Sequence, residues 1–226
     1  MERMQSVAIV TGGSKGLGKA IVEALHAAGF IVEAPLQEEV DVRSFESVHA
    51  WICDIYARRG HIDILVNNAG WAESPKLLED TSEEDFDRCM DTNVKGVYNV
   101  LHAALPLMKK QKKGVIINIA SRAGTRAHPT LSIYSASKFA VRGLTQAVAR
   151  ECSEAGRTVT CISVSPGGVN TDMRTMLFGK ENSDRQQKPE VVAALIMQYL
   201  QGEMDAPNGS DVQIVDGIVT RITTLD

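Results

Sequence analysis

The sequence has 226 residues, 44% hydrophobic and 23% charged, with a net charge of −4 and a pI of about 5.8. That suits one globular domain over residues 1–226 with a substantial core, and the lack of a basic stripe argues against nucleic acid as a partner. Cys53, Cys89, Cys152 and Cys161 show no CxxC spacing and no His cluster joins them, which argues against a zinc site or disulfide framework; with no bilayer-length apolar run, a cytoplasmic protein that does not enter a membrane is expected.

Val7–Val10 is a short, wholly apolar run, as expected of a strand buried on both faces. It leads into Thr11-Gly-Gly-Ser-Lys-Gly-Leu-Gly18 and then a helical pattern from Leu17 to Ala28, stopped by Gly29. A strand, a glycine turn and a helix N-terminus form a phosphate cradle, because glycine lets the backbone approach and the free helix N–H groups face the anion. Phe30–Pro35 is a second strand. Only Leu36-Gln-Glu-Glu39 separates it from Val40–Arg43, too short for a crossover helix. Ser44 is placed to cap a helix running through Phe45, Val48, Trp51, Ile52 and Ile55 to about Arg59.

Ile62–Val66 is a third apolar strand, ending in Asn67-Asn68-Ala69-Gly70; small and amide residues there suit the floor of a flat ligand or an ordinary turn. After a loop from Trp71 to Glu79, a Thr81/Ser82 cap opens a helical region from Glu83 to Met108, with Asn93 inside its apolar pattern. A buried amide at that point needs a partner. The apolar run Val115–Ala120 reads as a strand and ends at Ser121. A helix follows that holds Tyr134 and Lys138 and continues to about Ala155. A spacing of four puts Tyr134 and Lys138 on one helical face, where an ammonium favours the phenolate and lowers the phenol's pKa. Thr158–Val164 is a further strand, followed by Ser165–Thr171; Pro189–Leu200 is the last clear helix, and Asp211–Val215 a final strand turned by Asp216-Gly217. The alternation predicts an α/β domain with a mostly parallel sheet, doubly wound. Every suspect motif follows a strand, the edge at which such sheets bind ligands.

These residues resemble the short-chain dehydrogenase/reductase family over nearly the whole chain. Thr11-Gly-x-x-x-Gly16-x-Gly18 resembles its cofactor turn, Asn67-Asn-Ala-Gly70 its second motif and Pro166-Gly167-x-Val169-x-Thr171 its nicotinamide-side loop. Asn93, Ser121 and Tyr134-x-x-x-Lys138 match its tetrad in order and spacing. The resemblance implies a Rossmann-type fold and an oxidoreductase moving a hydride between a nicotinamide and a carbonyl or secondary alcohol. Tyr134 is then the general acid, Lys138 lowers its pKa and holds the nicotinamide ribose, Ser121 binds the substrate oxygen, and Asn93 holds a water that relays protons to Lys138. It also implies cofactor contacts at Gly12, Ser14, Lys15, Gly16, Leu17, Gly18, Asp41, Val42, Asn68, Ala69, Gly70, Tyr134, Lys138, Pro166, Gly167, Val169 and Thr171. A small-molecule substrate loop around residues 171–188 and a homodimer or homotetramer complete what the family implies.

The chain departs from the family between Leu36 and Arg43. The family continues through a helix to a third strand; here both are expected to be missing, leaving about six strands with the second at the edge. Leu36 stands where NAD users often place an Asp for the ribose hydroxyls. Lys15 before the middle glycine favours NADP, Glu38 and Glu39 oppose a phosphate, and the balance leans to NADP over NAD. The rival reading is a non-catalytic dinucleotide-binding redox sensor on the same fold.

Overall fold

The computed structural model describes residues 5–154 and 159–224. The expected helix end at Ala155 and strand start at Thr158 lie outside the described residues. The core is a sheet of seven strands in the order β2-β1-β3-β4-β5-β6-β7. These are β1 Val7–Val10, β2 Ile31–Glu33, β3 Ile64–Asn67, β4 Gly114–Ile119, β5 Val159–Pro166, β6 Asp211–Val215 and β7 Ile218–Thr223. All neighbours are parallel except β6 and β7. Every residue of β1 and β3 is buried, the burial expected of strands covered on both faces.

The helices form two layers. On one face, α2 (Phe45–Arg59), α4 (Gly96–Gln111) and α5 (Ser132–Glu154) cover a cluster that includes Ile9, Ile52, Leu65, Val100, Met108 and Ile116. On the other, α1 (Gly16–Ala27) and α8 (Pro189–Leu200) bury Ile21, Leu25, Ile117, Ile162 and Ile196. Between β5 and α8 lie two short helices, α6 (Asp172–Phe178) and α7 (Lys180–Asp184), in the segment expected to be the substrate loop. No helix among the described residues is long and apolar enough to cross a membrane.

The sheet has one strand more than the six expected. Asp216 and Gly217 both have positive φ, 52° and 77°, and form a two-residue hairpin loop that returns the chain as β7 along β6. Asp-Gly is favoured there because both turn residues must adopt left-handed backbone. The added strand lies at the far edge. At the near edge, no strand among the described residues pairs outside β2, so the family's third strand is missing as expected. The Leu36–Val40 bridge closes on itself: the Glu39 and Val40 amides donate to the Leu36 carbonyl at 3.1 and 3.0 Å, and the Leu36 amide donates to the Glu39 carboxylate at 2.9 Å. The free edge is short, and Glu33 on it pairs with Arg58 and Arg59 of α2 at 3.1 and 3.0 Å.

The helical region from Glu83 to Met108 is not continuous. It begins as α3 (Glu83–Met90), capped reciprocally by Ser82 and Asp85, widens into a π turn over Asp91–Lys95, and resumes as α4. π turns often mark functional positions, and this one carries Asn93.

Candidate active site

The C-terminal ends of β1, β3, β4 and β5 bring the suspected motifs together. At the end of β1, Gly12 and Gly16 have φ of +63° and +54°, conformations that side chains oppose. A Cβ on Gly12 would lie 2.9 Å from the Ala69 Cα, and one on Gly18 would lie 2.1 Å from the Gly12 carbonyl oxygen. Only glycine lets the turn fold this tightly against the Asn67–Gly70 segment. Thr11 locks the two together: its hydroxyl accepts from the Asn68 and Ala69 amides at 3.0 and 3.1 Å, while the Asn68 side chain donates to the Thr11 and Gly12 carbonyls at 3.1 and 3.0 Å. The N-terminus of α1 has no side-chain cap, which leaves its first-turn N–H groups available to an anion. Thr171, after β5, closes the far side: a Cβ on Gly16 would lie 3.2 Å from its Cγ2. The residues present therefore fit a dinucleotide, with its phosphates at the α1 N-terminus.

Tyr134, Lys138, Ser121 and Asn93 converge beyond Gly70. A Cβ on Gly70 would meet Asn93 Oδ1 at 3.4 Å and Lys138 Nζ at 3.5 Å. The Ser121 side chain lies beside the Tyr134 phenol, close enough to lower its pKa. Lys138 is buried, donates from Nζ to the Ile119 carbonyl at 2.9 Å, and lies 5.7 Å from the centre of the Tyr134 ring. Asn93 is fully buried and its amide is engaged: Oδ1 accepts from the Trp71 amide at 2.8 Å, and Nδ2 donates to the Trp71 carbonyl at 2.8 Å and to the Ser137 hydroxyl at 2.9 Å. The Ser137 hydroxyl donates in turn to the Tyr134 carbonyl at 2.7 Å.

Electrostatics here differ from the simple pairing of phenol and ammonium. Burial pushes the Tyr134 phenol up to about 12, while the Ser121 hydrogen bond pulls it down. Burial pulls Lys138 down to about 8. Both groups lie in an environment that disfavours charge, and burial is the largest influence on each.

Most of the residues expected to touch the cofactor line this edge, but they offer different atoms. Gly12, Ser14 and Lys15 are exposed; Leu17 packs its side chain against the core, leaving its backbone for contact. Pro166 ends β5, the Gly167 amide donates to the Ile214 carbonyl at 2.7 Å, Val169 bridges to Gln187, and the Thr171 hydroxyl caps α6 by accepting from the Arg174 amide at 3.2 Å. Asp41 is bound by Arg43, with contacts of 2.7–3.0 Å that lower its pKa, chiefly through the hydrogen bond. Val42 packs against α4, where its carbonyl accepts from the Asn99 side chain at 2.8 Å. Their side chains are thus occupied by the protein itself. His128 lies 5.6 Å from Phe178 of α6, ring centre to ring centre, and Trp71 carries the Arg88 guanidinium 4.9 Å over its ring.

Two residues near the tetrad escaped the sequence reading. Ser137 had a signal, standing three residues after Tyr134. Glu73 had none, because its partners are the Ile133 and Tyr134 amides, 60 and 61 residues away.

The short chain dehydrogenase family profile matches residues 6–182. An NADPH-dependent pterin aldehyde reductase of Arabidopsis thaliana is 37% identical over 195 residues, covering 77% of this chain and 79% of its own. A 3-oxoacyl-acyl-carrier-protein reductase, FabG, of Staphylococcus aureus is 34% identical over 197 residues, with the same 77% and 79% coverage. Among solved structures, ElxO with NADP bound matches with a TM-score of 0.83 and 28% identity, over 93% of this chain and 97% of its own. A 3-ketoacyl-acyl-carrier-protein reductase from Brucella melitensis complexed with NADH matches with a TM-score of 0.85 and 25% identity, over 94% and 98%.

Proposed function

This chain belongs to the short-chain dehydrogenase/reductase family, and on that premise we propose that it reduces a small-molecule carbonyl to an alcohol, or the reverse, with Tyr134 as the general acid or base. It is an NAD(P)-dependent oxidoreductase. The observation that carries the reading is the convergence of Ser121, Tyr134, Lys138 and Asn93 beside a glycine turn and an uncapped helix N-terminus that suit an anionic ligand.

The cofactor, when bound, supplies or accepts the hydride. The chain supplies the proton. In reduction, Tyr134 gives its hydroxyl proton to the substrate oxygen as the hydride reaches the carbon, and Ser121 donates to that same oxygen as negative charge develops on it. Lys138 would hold the nicotinamide ribose and restore the proton at Tyr134. Because the Asn93 amide is engaged by Trp71 and Ser137, its water for proton relay falls to its main-chain carbonyl at the π turn. Gly12, Ser14, Lys15, Gly16, Leu17 and Gly18 would hold the phosphates, Asn68, Ala69 and Gly70 the middle of the dinucleotide, Pro166, Gly167, Val169 and Thr171 the nicotinamide side, and Asp41 and Val42 the adenine side.

Lys15, exposed at the entrance to α1, favours NADP, as does the NADPH dependence of the pterin aldehyde reductase relative. Exposed Phe86, Tyr98 and Phe139 on α3, α4 and α5 support association into a homodimer or homotetramer. The whole reads as a cytosolic enzyme with no nucleic-acid or membrane partner.

A carbonyl panel assayed with NADPH and NADH tests the reading. We expect turnover on at least one aldehyde or ketone, with NADPH bound more tightly than NADH. Tight cofactor binding without turnover on any member would favour the redox-sensor alternative. Equal or tighter NADH binding would remove the NADP preference.

A further inference from the structure

Helix α5 carries Tyr134 and Lys138, yet its N-terminus lacks a local cap. The first intrahelical bond runs from the Ser135 amide to the Leu131 carbonyl at 2.9 Å, which makes Leu131 the capping position. Leucine has no acceptor. The two amides that a Ser, Thr, Asp or Asn there would satisfy belong to Ile133 and Tyr134. Both donate to Glu73, from the loop after β3: Ile133 at 3.1 Å and Tyr134 at 3.2 and 3.1 Å to its two oxygens. Glu73 is wholly buried, and among the described residues no Lys, Arg or His lies within ion-pair distance of it. A buried carboxylate without a cation is costly unless N–H donors and a helix dipole hold it. It persists here because α5 supplies both.

We propose that Glu73 is a positioning residue for Tyr134: its buried carboxylate replaces the missing cap of α5 and fixes the backbone from which the phenol reaches Ser121. The inference rests on the reading of Tyr134 as proton donor. Glu73 also completes a clamp. It lies two residues after Trp71, whose backbone holds Asn93, and Asn93 holds Ser137, which holds the Tyr134 carbonyl. One loop thus grips Tyr134 at its amide and, through two side chains, at its carbonyl.

The carboxylate has a second consequence. Its negative charge offsets the positive end of α5 and adds to the effects that keep the Tyr134 phenol protonated. The other titratable groups facing that phenol are Cys89 from α3 and Lys138 from α5 itself. Removing the charge while keeping the shape should therefore make Tyr134 ionise more readily.

Three measurements on the full chain test this. In Glu73→Gln, phenolate absorbance of the cofactor-free protein, taken as the difference from the same variant carrying Tyr134→Phe, is expected to titrate at lower pH than in wild type. Hydrogen exchange at the Ile133 and Tyr134 amides is expected to quicken, because one amide then faces an NH₂ group. Glu73→Asp keeps the charge but is one methylene short, and is expected to lower kcat by about ten-fold or more with cofactor KM within about two-fold and the Tyr134 titration unmoved. If Glu73→Gln does not fold, Glu73→Asp decides alone. Wild-type titration and exchange in the first variant, or wild-type kcat in the second, would overturn the proposal. The exchange measurement needs no turnover, so it stays decisive even if Tyr134→Phe were to show that another group donates the proton.

Discussion

Tyr134→Phe is expected to lower kcat/KM for carbonyl reduction by about 10²–10⁴-fold, with cofactor binding within a few-fold of wild type. Phe keeps the ring that packs under Lys138 and removes only the hydroxyl that meets Ser121. Because burial pushes this phenol up to about 12, it carries its proton throughout the neutral range, the form a general acid needs. The sign of the pH dependence follows. Reduction should hold level from neutral pH until Lys138, which burial pulls down to about 8, loses the proton with which it restores Tyr134. Alcohol oxidation, which needs the phenolate, should climb with pH. The positive charge of an oxidised nicotinamide draws the phenol down and moves that climb toward neutrality. Turnover in the Phe variant within a few-fold of wild type would remove Tyr134 from its role.

Arg142→Met is expected to cost about 3–5 kcal/mol of unfolding free energy, measured by denaturant titration. Arg142 lies one turn beyond Lys138 on α5, and its Nε is 3.2 Å from the Asp211 carboxylate on β6. Asp211 is 2% exposed, and its other oxygen accepts from the Ser163 and Ser165 hydroxyls at 2.7 and 2.6 Å. The ion pair is close but poorly aligned as a hydrogen bond. Its importance is that loss of the cation strands a buried carboxylate. Replacing both partners with apolar residues should recover part of the loss, because no buried charge then remains. A loss below about 1 kcal/mol, the range of solvated pairs, would mean that water reaches Asp211. Arg142 also donates to the Gly124 carbonyl at 2.8 Å, in the turn just after Ser121. The variant should therefore lose some activity under conditions where it remains folded.

What the sequence revealed was local, or repeated along one sheet edge. The Tyr134–Lys138 spacing, the glycine turn and the strand-end motifs depend on neighbours in the chain or on the alternation of strand and helix, so their meeting point was legible. The missing third strand was legible too, because four residues cannot hold a crossover. Asp216-Gly217 marked a turn, yet the β-branched run after it was not taken as a strand; its residues are mostly exposed or half-buried and lack the continuous apolar signal of β1. The π turn at Asn93 was hidden because the apolar pattern runs through it without a proline or glycine break. The protonation of Tyr134 and Lys138 was misjudged for a different reason. Spacing shows that the two are neighbours, but burial is a property of the assembled fold, and it dominates both groups. Glu73 and the Arg142–Asp211 pair are the same kind of case. Each is a long-range partnership in which neither residue stands in a motif that points to the other.

On the proposed mechanism, this cleft passes a hydride to a carbonyl carbon while Tyr134 protonates its oxygen. Reduction of an accepted carbonyl by NADPH carrying deuterium at its transferable position tests it most directly, with the product's label located by NMR. Deuterium is expected on the carbinol carbon, with full retention against solvent, and formation of that product should collapse in Tyr134→Phe. Label absent from that carbon, or product formed at the wild-type rate without the phenol, would contradict the mechanism.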